Sequence, residues 1–339
     1  MKKRIIAIMF CLLMVFMSAC GEKENNNKSS SDKQSQANSQ SDSKGNSEGN
    51  KESDNTVDDE NDNKEPDGGV EETASDWNSD GALKILAIGN SFSADTMQHL
   101  YSIASNSGVN DIVLGNLYIG GCSLLMHANN AEYDKPDYTY HSTTNGVWKS
   151  EPNYKISTAI ASENWDFISL QQVSDMSGMP NSYNSLAYLV NYLNKIKAKD
   201  TKIVWNMTWA YQADSGHSAF VNYNRDQLTM YNSIVSAVKK EVVEDNGIEI
   251  VAPAGTAIQN ARTSFIGDTL TRDGYHLSHS LGCYIAGLAF FHELTGISIE
   301  NLTYAPGGVN EKQRAVAIES AINAVKNPYE VTTSAYQNS

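Results

Sequence analysis

Leu83-Lys84-Ile85-Leu86-Ala87-Ile88-Gly89-Asn90-Ser91-Phe92-Ser93 decides how this 339-residue chain is read. Its opening run is apolar apart from Lys84 and ends at a glycine, as a strand buried on both faces would. Beyond it, Met97, Leu100, Tyr101 and Ala104 recur at helical spacing and predict a helix over 94–105. Gly89-Asn90-Ser91 therefore lies where a strand turns into a helix. A glycine lets the backbone turn tightly there. The serine hydroxyl would stand at the carboxyl edge of a sheet, above a helix N-terminus that favours developing negative charge. Taken alone, the segment reads equally as a helix cap, with Ser91, Ser93 or Asp95 accepting from backbone amides.

The same alternation continues downstream. Strands are predicted over 111–118, closed by Gly120-Gly121, and over 167–170, 202–207 and 248–251. Helices are predicted over 185–198, 222–244, 281–294 and 311–325. Residues 129–154 break the rhythm with Tyr, Asn, Asp and Thr, and read as an insertion loop. Apolar strands alternating with amphipathic helices imply an α/β fold: a mostly parallel sheet of about five strands with helices on both faces. Ligands of such folds bind beyond the carboxyl ends of the strands, near a topological switch point.

Upstream, Lys2, Lys3 and Arg4 precede an apolar run over 5–17, and then Ser18-Ala19-Cys20-Gly21. This is the pattern of an export signal over 1–19. Met17-Ser18-Ala19-Cys20 resembles a bacterial lipobox, which implies lipidation of Cys20 and attachment to the outer face of a membrane; a plain secreted protein is the other reading. Residues 20–78 are almost entirely polar and hold much of the acid excess behind the net charge of −15. Such a stretch buries too little apolar surface to offset ordering entropy and is expected to be a disordered tether. The globular domain then spans 79–328, with 329–339 expected as a flexible tail. No basic stripe interleaved with aromatics points to nucleic acid. No cysteine–histidine spacing suggests zinc, and no motif asks for a cofactor. Cys122 and Cys283 remain in the mature domain, and spacing leaves a disulfide between them open. Sequence leaves the oligomeric state open as well.

The second chemical segment is Asp273-Gly274-Tyr275-His276-Leu277-Ser278, just before the apolar run at 281. A serine nucleophile needs a base within hydrogen-bond reach, and that base needs an orienting acceptor. An Asp and a His three apart on a tight turn can meet this need, the carboxylate folding back onto Nδ1 and leaving Nε2 for the serine. His279 lacks an acid at that spacing, and His99, His127, His141, His217 and His292 read as ordinary helix, loop or packing residues.

The serine block after the first strand and the DxxH before a late helix together resemble the SGNH, or GDSL, hydrolase superfamily over 83–296. ILAIGNSFS, DGYHLS and the GCYIAG helix look similar to a poorly characterised bacterial branch of it. The resemblance implies a flavodoxin-like three-layer α/β/α sandwich and an esterase with Ser91 as nucleophile, His276 as base and Asp273 as its orienter. It also implies an oxyanion site made of the Ser91 amide, a glycine after the second strand and an amide side chain after the third. Gly121 fits the glycine, with Gly120 nearly as good. At the third position GxND is replaced by Leu170-Gln171-Gln172-Val173, so Gln171 or Gln172 would donate; alternation sends the two to opposite faces. Related carbohydrate esterases suggest an O-acyl, in particular acetyl, ester on a glycan as substrate. Acyl transfer, lipid ester hydrolysis and non-catalytic glycan binding are the alternatives. Trp205, Met207, Trp209 and Tyr211 read as core, with Trp209 and Tyr211 alternatively overhanging a sugar site. Tyr133, Tyr138, Tyr140 and Trp148 could form a further wall or a bare surface loop.

Overall fold

The computed structural model describes residues 81–338; the expected signal, Cys20 and the whole of the expected tether lie outside the described residues. The first strand, β1 (Ala82–Gly89), lies at the centre of a seven-stranded sheet. On one side it pairs in parallel with β2 (Asp111–Tyr118), which carries an antiparallel hairpin, β3 (Tyr138–Thr143) and β4 (Lys149–Tyr154), to the sheet edge. On the other side β1 pairs in parallel with β5 (Phe167–Leu170), followed by β6 (Lys202–Asn206) and β7 (Ile250–Ala252). The strand count is thus seven rather than five. The difference is the supposed insertion loop, which builds β3 and β4. The five parallel strands stand in the order 2-1-3-4-5 of a flavodoxin-like sheet, with the switch point between β1 and β5.

Helices cover both faces. On one, α8 (Leu281–Thr295) packs against α1 (Ser91–Met97), α2 (Leu100–Asn106), α7 (Ala254–Arg262) and α9 (Glu311–Lys326). Its sequence is apolar nearly all round because it is enclosed on nearly all sides. On the other face α3 (Leu124–Glu132), α4 (Ile156–Ala161) and α5 (Leu186–Ile196) pack together. The helix expected over 222–244 is α6 (Gln227–Ala237), preceded by a 3₁₀ turn and continued by a π-helical stretch, Val238–Glu244.

The single helix expected over 94–105 is broken at Gln98 and His99 into α1 and α2. The break lets Gln98 Nε2 donate to the His279 carbonyl at 2.7 Å, with the His99 ring at 2.6 Å from the same oxygen. Residues 329–338, expected as a loose tail, are tied to the domain. Thr332 and Ser334 amides donate to Asn260 Oδ1 and Thr263 Oγ1, and the Phe265 amide donates to the Tyr336 carbonyl. Cys122 and Cys283 are buried free thiols with no bridge between them, and burial pushes the Cys122 thiol up to about 12.

Candidate functional site

Five chain segments reach the carboxyl edge around β1: the loops after β1, β2, β5 and β6, and the segment around His276. The turn after β1 is held by Asn90, whose Oδ1 accepts from the Phe92 amide at 3.0 Å as the cap of α1. Its Nδ2 donates to the Cys122 carbonyl at 3.0 Å, joining this turn to the loop after β2. Ser91 follows with its side chain only partly buried.

The Asp273–His276 segment forms the tip of a small hairpin. Thr271 and Leu277 make a bridge, the Ser278 amide donates to the Leu270 carbonyl at 2.8 Å, and the Arg272 amide to that of His276 at 2.9 Å. Gly274 has φ +91°, a backbone that side-chain-bearing residues rarely adopt. A Cβ there would also meet Ser215 Oγ at 3.0 Å. Outside the hairpin, Gln212 donates its amide to the Gly274 carbonyl and Trp209 its Nε1 to the Tyr275 carbonyl, both at 2.8 Å.

Within that tip, Asp273 Oδ1 accepts from the Tyr275 amide at 3.2 Å and the His276 amide at 2.8 Å. Its Oδ2 lies 2.6 Å from His276 Nδ1, and His276 Nε2 lies 2.8 Å from Ser91 Oγ. The three side chains thus form one hydrogen-bonded line. Burial alone would raise the Asp273 pKa, but the His276 ring and the two amides outweigh it and hold the carboxyl below its usual range. The stability Asp273 contributes is therefore present above the ordinary carboxylate pKa of about 3.9 and is lost as pH falls below it.

The His276 hairpin and the Ser91 helix are stitched together by Asp95, which lies on α1 one helical turn beyond Ser91 and is 3% exposed. Its carboxylate accepts from Arg272 Nη1 at 3.0 and 3.1 Å and from the Leu277 amide at 2.9 Å. Burial raises the Asp95 pKa, and Arg272 and the Leu277 amide offset that in part.

A cleft of about 480 Å³ opens over the serine. Its wall includes Asn90, Ser91, Phe92, Tyr118, Gly120 and Gly121 on one side. Val173, Ser174, Asp175, His217, Arg272, Tyr275 and His276 complete it. The Cys122 amide donates to the Ile119 carbonyl at 3.2 Å, which closes a turn around the two glycines. Gly121 has φ +65° as in a type II turn. Among the described residues the amides of Ser91, Gly120 and Gly121 have no acceptor, so three residues of the cleft wall carry an unused backbone donor.

The two glutamines do not join them. Gln171 is 1% exposed beneath the turn, where its Nε2 donates to Asn90 Oδ1 at 2.8 Å and its Oε1 accepts from Asn206 Nδ2 at 3.3 Å. Gln172 turns the other way. Its Oε1 accepts from the Leu124 and Val173 amides, and its Nε2 donates to the Ser182 carbonyl and hydroxyl. The expected divergence of the pair is observed, but the Gln171 carboxamide is taken up by the Asn90 and Asn206 side chains and that of Gln172 by backbone groups and Ser182. Neither reaches the cleft. Gln171→Ala should therefore cost about 1–3 kcal/mol of stability in urea unfolding, through the partner it strands. Activity should fall less than about tenfold, whereas losing an oxyanion donor costs about 10²–10³ in kcat.

Of the aromatic candidates, Trp209 and Tyr211 are buried, as the core reading has it. Trp209 stacks on Phe92 with ring centres 4.3 Å apart, and the Tyr211 hydroxyl meets Ser174 Oγ at 2.9 Å. Tyr133, Tyr138, Tyr140 and Trp148 do not line this cleft. Tyr138 and Tyr140 are buried in the hairpin, the latter stacked on Tyr154. His127 is fully buried with its pKa lowered to about 3 by burial, and His279 is bonded to Gln98 at the break between α1 and α2. Sequence reasoning missed Asp175, Arg272 and Tyr275 as cleft residues and set His217 aside as ordinary. The available signal was position, since Asp175 follows β5 closely and Arg272 and Tyr275 flank residues already chosen.

A family model described as "Domain of unknown function (DUF4886)" matches residues 84–324. The crystal structure of a DUF4886 family protein from Bacteroides uniformis is 41% identical, with a TM-score of 0.74, over 76% of this chain and 100% of that one. An alpha/beta hydrolase enzyme from the metagenome of Lake Arreo, Spain, is 10% identical, with a TM-score of 0.38, over 64% of this chain and 96% of that one. A catalytic mutant of an acetylxylan esterase from Geobacillus stearothermophilus is 14% identical, with a TM-score of 0.39, over 62% and 94%. TM-scores this low do not establish a shared fold. No curated protein matches the chain.

Proposed function

The chain belongs to the DUF4886 family, whose description names no reaction, and from the geometry of its cleft we propose that it is a serine esterase of the SGNH type. The observation that carries this reading is the line from Asp273 through His276 to Ser91, at 2.6 and 2.8 Å, ending beside three unused amides. A serine hydroxyl bonded to an imidazole that is itself oriented by a carboxylate is the arrangement acyl transfer requires.

In the proposed reaction His276 Nε2 takes the Ser91 proton as Oγ attacks the ester carbonyl. The carbonyl electrons move onto oxygen, which the amides of Ser91 and Gly121, with Gly120 beside them, would stabilise. Collapse of this intermediate breaks the bond to the alcohol, and His276 returns the proton to the leaving oxygen. Water, deprotonated by His276, then attacks the acyl-serine; the acid departs and Ser91 recovers its proton. Asp273 keeps the proton of the neutral ring on Nδ1 and stabilises the imidazolium of each half-reaction. Backbone amides replace the expected glutamine in this scheme, so the oxyanion role rests on the glycine turn.

The proposed substrate is an O-acyl ester, in particular an acetyl ester, on a carbohydrate at the cell surface. The modest volume of the cleft and its hydrogen-bonding wall support a small acyl group on a polar alcohol. The basic, apolar and Ser-Ala-Cys segments of the N-terminus support export and lipid attachment through Cys20. The polar stretch after it supports a tether that lets the domain reach away from the membrane. Saturable release of nitrophenol from 4-nitrophenyl acetate by the purified domain tests the esterase reading. Absence of turnover across pH 6–9 at about micromolar enzyme would sink it. Product analysis with and without an added methyl glycoside separates hydrolysis from acyl transfer, because both pass through the same acyl-serine.

A further inference from the structure

The order β2-β1-β5-β6 lays the loops that follow these strands side by side across the carboxyl edge. Gly120 and Gly121 stand on the β2 side of Ser91, Asp175 on the β5 side, and His217 beyond it after β6. Under the esterase reading, the carbonyl oxygen points toward the glycine amides. The leaving oxygen takes its proton from His276, so the alcohol half of the ester lies along the His276 side. The His276 ring lies 4.1 Å from that of Tyr275, and Tyr275 lies 4.8 Å from His217. His217 is next to Tyr211 at 4.9 Å, and the Tyr211 hydroxyl bonds Ser174, the chain neighbour of Asp175. His217 and Asp175 therefore stand on the wall the alcohol would meet.

The two groups are chemically complementary, and each keeps a polar side-chain atom unused. The Asp175 carboxylate has no hydrogen-bond partner among the described residues, although its backbone carbonyl is fixed by the Tyr223 hydroxyl at 3.0 Å. His217 Nδ1 accepts from the Ala219 amide at 3.3 Å, which puts the proton of the neutral ring on Nε2. The wall thus offers both an acceptor-only group and a donor. A hydroxyl both donates and accepts, so vicinal hydroxyls satisfy both partners together. A hydrocarbon chain in the same place would strip water from the carboxylate without replacing its hydrogen bonds, which disfavours lipid esters.

We propose that Asp175 and His217 are specificity-determining residues that recognise the free hydroxyls of a polyhydroxylated leaving alcohol. This rests on the esterase reading and assigns to two residues its selection of a carbohydrate ester over those of simple or lipid alcohols. Sites that bond a substrate hydroxyl reject analogues lacking it, because their own polar groups are left unpaired.

The test compares a mono-O-acetyl methyl hexopyranoside with cyclohexyl acetate, a ring-matched alcohol without hydroxyls, for the parent and for Asp175→Asn and His217→Phe. The parent should prefer the sugar ester in kcat/KM by at least about tenfold, the worth of one hydrogen bond to a charged group. Each variant should lower that ratio by about tenfold or more, chiefly through KM for the sugar ester. A parent without preference, or variants that lower both substrates equally or leave the ratio alone, would overturn the subsite and leave the esterase reading standing. A parent inert toward both esters and toward 4-nitrophenyl acetate would overturn both.

Discussion

Ser91→Ala should lower kcat for 4-nitrophenyl acetate by about 10⁴-fold or more while leaving the urea midpoint of unfolding nearly unchanged. The rate effect follows because no acyl-serine can form. What remains is stabilisation by the amides and orientation of the ester, worth far less than the complete unit. The stability effect is small for a separate reason. Asn90 rather than Ser91 caps α1, and the Ser91 side chain borders an open cleft, so its removal strands no buried group. A change within about 0.5 kcal/mol is expected, as for surface substitutions. An alanine variant as active as the parent would show that another residue attacks the ester.

Asp95→Ala should have the second largest effect, and it should act on stability and rate together. The carboxylate is the acceptor shared by Arg272 Nη1 and the Leu277 amide, and its side chain is 4% exposed. Truncation leaves the Leu277 amide unpaired and the partly buried guanidinium without its carboxylate, although the Leu277 carbonyl still accepts from Nη1. Breaking a buried pair costs about 3–5 kcal/mol, and the 29% exposure of Arg272 brings the expectation down to about 2–3 kcal/mol. Leu277 directly follows His276, so the same change frees the hairpin tip from the helix that carries Ser91. Activity should fall by about 10²-fold, as it does when misplacement by about 1 Å spoils an attack geometry. Urea unfolding and kcat on 4-nitrophenyl acetate measure the two effects. A variant of parental stability and rate would mean that the contacts of Gln98 and His99 with His279 hold the hairpin alone.

The parts of this molecule legible in sequence are those dictated locally. β1 announces itself because it is buried on both faces, and the strand-to-helix turn follows from Gly89 and the change of pattern after it. The Asp273–His276 tip is legible for the same reason, since a carboxylate three residues before a histidine can close the turn by itself. β3 and β4 were not legible. β4, Lys-Ser-Glu-Pro-Asn-Tyr, is exposed over most of its length and is a strand only because it pairs with β3 at the sheet edge. The break between α1 and α2 is equally hidden, because the apolar spacing runs through it. Only the distant His279 carbonyl gives Gln98 and His99 their reason to leave the helix.

The glutamines failed for an instructive reason. Their position after β5 is the one expected of an amide donor, but the turn beneath Asn90 and the start of α3 each need a carboxamide of their own. Gln171 and Gln172 satisfy those buried groups. Conversely, Asp175, His217 and Arg272 come from three separate crossings of the carboxyl edge, and only nearness to β5 and to Asp273 marks the first and the last in the sequence. The strand order alone brings them to one wall.

The most direct test of the nucleophile is covalent. A fluorophosphonate probe, incubated with the folded parent and followed by peptide mass spectrometry, should phosphonylate Ser91 and no other serine. His276→Ala should slow that labelling by at least about 10³-fold, because the hydroxyl loses its base. A parent that stays unlabelled, or labels on a different serine, would contradict the assignment of Ser91 and His276 as the reacting pair.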